Sequence, residues 1–159
     1  MRLTAPVLAM AVAVLIPAIA SATPYYTGAD EVSFAKLVPL TGTYRCTDTG
    51  GDPPYTARVK VEGAWLVWRE NGSDPATEYI RWDAKRKAYL VIETGNDGEY
   101  NVSTTPGPDP LNATWKHEYP PSTMYSTFST TFAHGEFSLI AKFMVKGKML
   151  TGRLDCKKL

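Results

Sequence analysis

Residues 40–46 read Leu-Thr-Gly-Thr-Tyr-Arg-Cys, and this stretch decides the fold predicted for the chain. Strand-like alternation begins here and continues almost to the C-terminal Leu159. Cys46 has one candidate partner, Cys156, which lies 110 positions further on. Because a disulfide requires Cα atoms within roughly 7 Å of each other, the first strand is predicted to lie beside the last.

Outward from this stretch, apolar and polar side chains alternate in short runs separated by turns. In residues 55–61, for example, Tyr55 and Val59 share one face, while Arg58 and Lys60 share the other. Such alternation predicts β-strands with one wet face. Short connections suit an up-and-down meander, and closure removes its two exposed edges. The fold class predicted is therefore all-β, an antiparallel up-and-down β-barrel of about ten strands, with a short N-terminal helix.

The first 22 residues have the layout of a signal peptide. Arg2 is followed by a mostly apolar run up to Ile16, and Ala20-Ser21-Ala22 is a small-residue cleavage site. The alternative is a membrane anchor, but the run is shorter than the ~20 residues that a spanning helix needs. We therefore expect cleavage after Ala22, a secreted or periplasmic location, and no membrane association afterwards.

Residues 23–39 form the predicted N-terminal arm, and residues 40–159 form the predicted barrel domain. Phe34, Leu37 and Val38 give the arm an apolar side, and Pro39 ends its short helix. Two interpretations are open for this arm. It plugs one end of the barrel, or it packs loosely outside it.

Charge and cysteine usage exclude several classes of partner. Without Arg2, the mature chain carries 16 basic and 16 acidic residues. That balance argues against nucleic acid, which is bound by clustered Lys and Arg. Two cysteines in an exported chain indicate a disulfide. The rival interpretation, a thiolate metal site, lacks cysteine or histidine at ligand spacing, so no metal is predicted.

Two groups of residues resemble a known family. One is Gly42-Thr43-Tyr44 in the first strand; the other combines Trp82-Asp83, Tyr89 and the glycine-rich hairpin at 95–98. Together they resemble the lipocalin-like, calycin-type barrels, and especially the small bacterial barrels related to nitrobindin. The resemblance implies about ten strands around an interior cavity. It also implies haem bound by a late histidine, but His117 and His134 lie outside the closing strand, so no cofactor is predicted.

The candidate ligand-binding residues follow from strand parity. In wide barrels, inward aromatic side chains line a cavity for a small ligand, although they also simply fill the interior. His117 shares its face with Trp115, and a buried imidazole either binds a ligand, titrates, or is a hydrogen-bonded core residue. The residues predicted to face the lumen are Tyr44, Trp68, Trp82, Trp115, His117 and Phe128.

Three functional hypotheses follow. The first is a non-enzymatic barrel that binds a small hydrophobic or aromatic ligand in its lumen. The second is an enzyme of the same fold with His117 as acid or base, since the sequence contains no other catalytic signature. The third is a protein-interaction or inhibitory barrel acting through its loops.

Overall fold

The computed structural model describes residues 29–96, 98–120 and 127–159. The predicted signal peptide and the start of the predicted arm lie outside these residues. Within the described chain, one short helix, one 3₁₀ turn and ten strands follow each other. They are α1 (Ala29–Ala35), η1 (Val38–Leu40), β1 (Gly42–Asp48), β2 (Tyr55–Glu62), β3 (Trp65–Glu70), β4 (Thr77–Asp83), β5 (Ala88–Thr94), β6 (Tyr100–Thr105), β7 (Ala113–Tyr119), β8 (Thr127–Ala133), β9 (Glu136–Val145) and β10 (Lys148–Lys158).

The ten strands form a closed antiparallel barrel in which every strand pairs with its neighbours in sequence. The predicted all-β up-and-down barrel is therefore confirmed. Several strands bury alternate side chains, as in β1, where Tyr44 and Cys46 are buried between exposed neighbours. This alternation is the reason that the strands were readable in the sequence.

β1 and β10 close the barrel. Cys46 lies directly opposite Cys156 in their antiparallel register, with 4.0 Å between the two Cα atoms, and the two residues form a disulfide. Both are fully buried on the inward face. The predicted disulfide and the predicted proximity of the first and last strands are both confirmed.

Tight turns connect most neighbouring strands. His134-Gly135 joins β8 to β9, and Lys146-Gly147 joins β9 to β10, with positive φ at both residues of each pair. Two successive residues with positive φ match the right-handed twist of a hairpin, and glycine adopts that conformation without strain. His134 is accordingly a turn residue here.

α1 and η1 cover one end of the barrel, called the closed end. Leu37 and Leu40 of this segment are buried at the closed end. The Tyr44 hydroxyl donates to the Leu40 carbonyl oxygen at 2.8 Å. Trp82 Nε1 donates to the Asp30 carboxylate at 2.9 Å. The described part of the arm thus packs against the lumen as a plug.

The β9–β10 hairpin lies at the opposite end, called the open end. Among the described residues, β8 pairs with β9 as far as Ala141, and β1 pairs with β10 as far as Leu154. Phe143 and Leu150, which lie opposite each other in the hairpin, continue its inward face towards the hairpin turn.

Candidate functional site

The lumen has a filled half and an empty half. Towards the closed end, aromatic rings occupy it: Tyr44 stacks on Trp68 with 5.2 Å between ring centroids, and Phe137 packs against Trp68 at 5.1 Å. Only a void of about 30 Å³ remains there. A space of that size holds a single water molecule at most, so this half is a packed core.

The residues predicted to face the lumen are distributed between these two halves. Trp68, Trp115 and Phe128 line the small void. Tyr44 and Trp82 belong to the packed aromatic core or pack against it. Phe128 alone among the six also lines the larger cavity of the open half. Whether any of the six contacts a ligand stays a prediction.

The open half contains a cavity of about 270 Å³. Its apolar side, called the apolar wall, consists of Phe128, Leu139, Ala141 and Leu154 from β8, β9 and β10. Its other side is polar and carries three glutamates, called the acidic wall, one each from β3, β4 and β5: Glu70, Glu78 and Glu93. The cavity is completed by Asp48, Tyr55, Val91, Asn101 and Ser103.

Glu70 is held in place by two hydrogen bonds. Its Oε1 accepts from the Tyr55 hydroxyl at 3.2 Å and from Trp68 Nε1 at 3.0 Å. Burial raises the pKa of Glu70, the two hydrogen bonds oppose that rise, and the nearby charges of Glu93 and Asp48 add to it. Burial together with the Glu70 charge also raises the pKa of Tyr55. Both groups are thus fixed at the cavity surface.

Glu78 and Glu93 are direct cross-strand partners on β4 and β5. Burial raises the pKa of Glu78 well above its usual range, and the charges of Glu93 and Glu70 raise it further. Burial also raises the pKa of Glu93, whereas a hydrogen bond from Asn101 and the charge of His117 lower it. The two carboxyl groups therefore resist simultaneous ionisation.

No lysine or arginine lines the cavity in the part of the chain that the structure describes. The ion pairs of the described residues join other carboxylates, on the outside of the barrel. They are Arg69–Glu62, Arg86–Asp83, Arg86–Glu118, Arg153–Asp155 and Lys157–Glu136. The acidic wall therefore faces the cavity without a lysine or arginine among the described lining residues.

His117 is buried on the inward face of β7, opposite Ser103 of β6. Its Nε2 lies 2.6 Å from the carbonyl oxygen of Pro120. Since a carbonyl oxygen only accepts, Nε2 carries the proton and donates it. This ring nitrogen is therefore engaged with the backbone at the start of the β7–β8 connection, and His117 is not part of the cavity lining.

The acidic wall was not predicted from the sequence. The sequence nevertheless contains a signal for it. Glu78 has the same strand parity as Ile80 and Trp82, whose face was predicted to be inward, so the pattern places Glu78 on the inward face as well. Glu93 likewise has the parity of Tyr89 and Val91. Charged residues at inward positions break the usual apolar-in pattern, and such exceptions mark candidate sites.

Two kinds of structural feature are absent from the described residues. No three side chains among His, Cys, Asp and Glu come close enough together to hold a metal ion. No helix in this part of the chain is long and apolar enough to cross a membrane.

Comparison with known proteins gives no further assignment of the site. No protein-family model matches the sequence, and no curated protein matches it either.

Proposed function

We propose that this chain is a secreted or periplasmic, non-enzymatic barrel that binds a small molecule with an apolar or aromatic body in its lumen. The observation that carries the proposal is the cavity of about 270 Å³, which lies inside a closed barrel and has one apolar wall and one acidic wall. Cavities with mostly apolar surfaces and a few convergent polar groups are the usual form of small-molecule sites.

The proposal puts the ligand in the open half of the lumen, next to Phe128. It does not put the ligand among Tyr44, Trp82 and Trp115, where packed rings leave only about 30 Å³. Phe128 links the two regions, because it stacks on Trp115 with 6.0 Å between ring centroids.

The proposed location and family have separate support. A buried disulfide supports an oxidising compartment, since thiols stay reduced in the cytosol. The signal peptide ending at Ala22 belongs to this proposal and rests on the sequence alone. A ten-strand antiparallel barrel is consistent with a calycin-like fold. Kinship with lipocalins or nitrobindin-related barrels stays part of the proposal. It rests on the sequence resemblance at Gly42-Thr43-Tyr44, Trp82-Asp83, Tyr89 and the hairpin at 95–98.

Tryptophan fluorescence tests the proposed function. Trp68 donates to Glu70, which lines the cavity, so its emission reports on a bound molecule. A screen of lipids, haem and aromatic metabolites is expected to yield at least one compound that changes the emission saturably. The absence of any saturable change over the whole screen would contradict the proposal.

A matched pair of variants locates the binding. Ala141 faces the cavity, whereas the preceding residue, Ile140, points outwards on the same strand. Ala141→Phe is expected to fill the cavity and abolish binding of the compound found in the screen. Ile140→Phe is expected to leave binding unchanged. Equal affinity of both variants would put the ligand outside the lumen and refute the proposed site.

A further inference from the structure

We propose that the ligand of this lumen is a small organic cation, namely a primary amine attached to a short apolar or aromatic body. This inference rests on the proposed function and names the chemical class of its ligand. Three observations carry it: the opposition of the acidic and apolar walls, the lack of a lysine or arginine in the described lining of the cavity, and the size of the cavity.

The two walls stand on opposite sides of the barrel. β4, which carries Glu78, and β9, which carries Leu139 and Ala141, are separated by five steps in either direction around the ten-strand order. A ligand between them has carboxylates on one side and hydrocarbon on the other. That division matches a molecule with one cationic end and one apolar end.

Within the acidic wall, hydrogen bonds reach Glu70 and Glu93, and His117 acts on Glu93, whereas Glu78 lacks a charge partner among the described residues. Glu78 in particular makes no hydrogen bond or ion pair with any described residue, although it lines both the cavity and the small void beneath it. Burying a carboxylate without a partner is costly, and the cost falls when an opposite charge is supplied. A bound ammonium group would supply that charge and three hydrogen-bond donors.

The dimensions of the cavity limit the ligand to a small molecule. Its volume of about 270 Å³ is just below the range of roughly 300–1,000 Å³ that is typical of sites for drug-sized ligands. Towards the hairpin turn, Phe143 and Leu150 continue the apolar surface of the β9–β10 hairpin. A single aromatic ring or a short alkyl chain fits inside, and a longer chain is able to lie against the hairpin.

Cation binding is expected to be coupled to proton release. The titratable and charged groups that line the cavity or act on its carboxyl groups come from β1 to β5, from the β3–β4 loop and from β7. They are Asp48 on β1, Tyr55 on β2, Glu70 on β3, Asp74 in the β3–β4 loop, Glu78 on β4, Glu93 on β5 and His117 on β7. Asn101 and Ser103 on β6 are the neutral polar groups. Of these, the glutamates have raised pKa values. A bound ammonium ion lowers the pKa of a neighbouring carboxyl group, so binding is expected to release protons at pH values near these raised pKa values.

Isothermal titration calorimetry with three probes of matched size tests the inference. Benzylamine is a cation, benzyl alcohol is neutral and benzoate is an anion at neutral pH. Benzylamine is expected to bind at least tenfold more tightly than benzyl alcohol, and benzoate is expected not to bind. Titrations in two buffers of different ionisation enthalpy are expected to reveal proton release with benzylamine only.

Charge-neutralising variants supply the second arm of the test. The double variant Glu78→Gln, Glu93→Gln keeps the size of both side chains and removes their charge. It is expected to weaken benzylamine binding at least tenfold and to abolish proton release. Glu31→Gln, on the exposed surface of α1, is the matched control and is expected to bind benzylamine as the parent does.

Several outcomes would overturn the inference. Benzyl alcohol binding as tightly as benzylamine would refute the cation while leaving lumen binding intact. Calcium binding without benzylamine binding would assign the acidic wall to a metal ion instead. No binding of any of the three probes would also refute it, whereas the proposed function would then be judged by the wider fluorescence screen and the Ala141→Phe variant.

Discussion

Glu78 and Glu93 lie directly opposite each other on β4 and β5, with both side chains at the surface of the same internal cavity. Like charges that face each other across a sheet destabilise it, and here burial strengthens the effect. A core built only for stability would use apolar residues at these positions. The pair therefore indicates a functional constraint, and its cost is measurable as a dependence of stability on pH.

The first prediction concerns the pH dependence of unfolding. The pKa of Glu78 in the folded protein is raised above its value in the unfolded chain. At pH values between these two pKa values, the folded state therefore binds more protons than the unfolded state. The contribution of Glu78 to the free energy of unfolding is therefore expected to be largest below the unfolded pKa of about 4.3. It then falls as pH rises through the folded pKa. Urea denaturation at a series of pH values measures this slope.

Glu78→Gln is expected to flatten that slope and to stabilise the protein at neutral pH. The expected gain is roughly 1–3 kcal/mol, because the neutral amide avoids the desolvation cost of a buried charge and its repulsion by Glu93 and Glu70. Glu31→Gln, at an exposed position on α1, serves as the control and is expected to keep the parental slope. A destabilised Glu78→Gln variant at neutral pH would show that the carboxylate has a stabilising partner.

The second prediction concerns the disulfide that joins β1 to β10. Cys46 and Cys156 are 110 residues apart, and a crosslink over such a loop stabilises by up to about 4–5 kcal/mol through restriction of the unfolded chain. The double variant Cys46→Ala, Cys156→Ala is expected to lose much of this stability in guanidinium denaturation. Reduction of the parent with dithiothreitol serves as an independent comparison. A double variant with the denaturation midpoint of the oxidised parent would be evidence against this contribution.

The strands were predictable because their alternation is a local property. Tyr55, Ala57 and Val59, for example, identify the inward face of β2 without knowledge of any other strand. The closure was predictable because Cys46 and Cys156 constrain the first and last strands directly. Both inferences depend on short-range pattern or on covalent chemistry, and the structure confirms both.

The site was less predictable, because it depends on which inward side chains fail to fill the lumen. Trp68 and Trp115 were predicted as lumen residues, and their rings are packed into the closed half. The empty half depends on the small size of Ala141 and on the cross-strand register of Glu78 and Glu93. Register and packing across the barrel are long-range properties that strand parity alone does not supply.

The third prediction concerns the plug at the closed end. Leu37 is 1% exposed, whereas the next residue, Val38, is 41% exposed. Leu37→Ala is expected to cost about 2–5 kcal/mol, because it removes a buried side chain and leaves a cavity. Val38→Ala removes an exposed side chain from the same segment and is expected to cost less than about 0.5 kcal/mol. Thermal and urea denaturation of the two variants make the comparison. Similar stabilities would indicate that the arm does not contribute to the core in solution.

The fourth prediction concerns Tyr44, which connects the first strand to the plug. Its ring is fully buried, its hydroxyl donates to the Leu40 carbonyl oxygen, and burial raises its pKa to about 12. Tyr44→Phe keeps the ring but removes the donor, and it is expected to cost about 1–2 kcal/mol because a buried hydrogen bond is lost.

Tyr100→Phe is the matched control for Tyr44→Phe, because Tyr100 lies on the exposed surface of β6. It is expected to leave the denaturation midpoint unchanged. Spectrophotometric titration gives a second readout: Tyr44 is expected to contribute an ionisation near pH 12 to the titration of the parent, and Tyr44→Phe is expected to lack that contribution. If that ionisation persists in Tyr44→Phe while stability is unchanged, the hydroxyl is accessible to solvent and does not tie β1 to the plug.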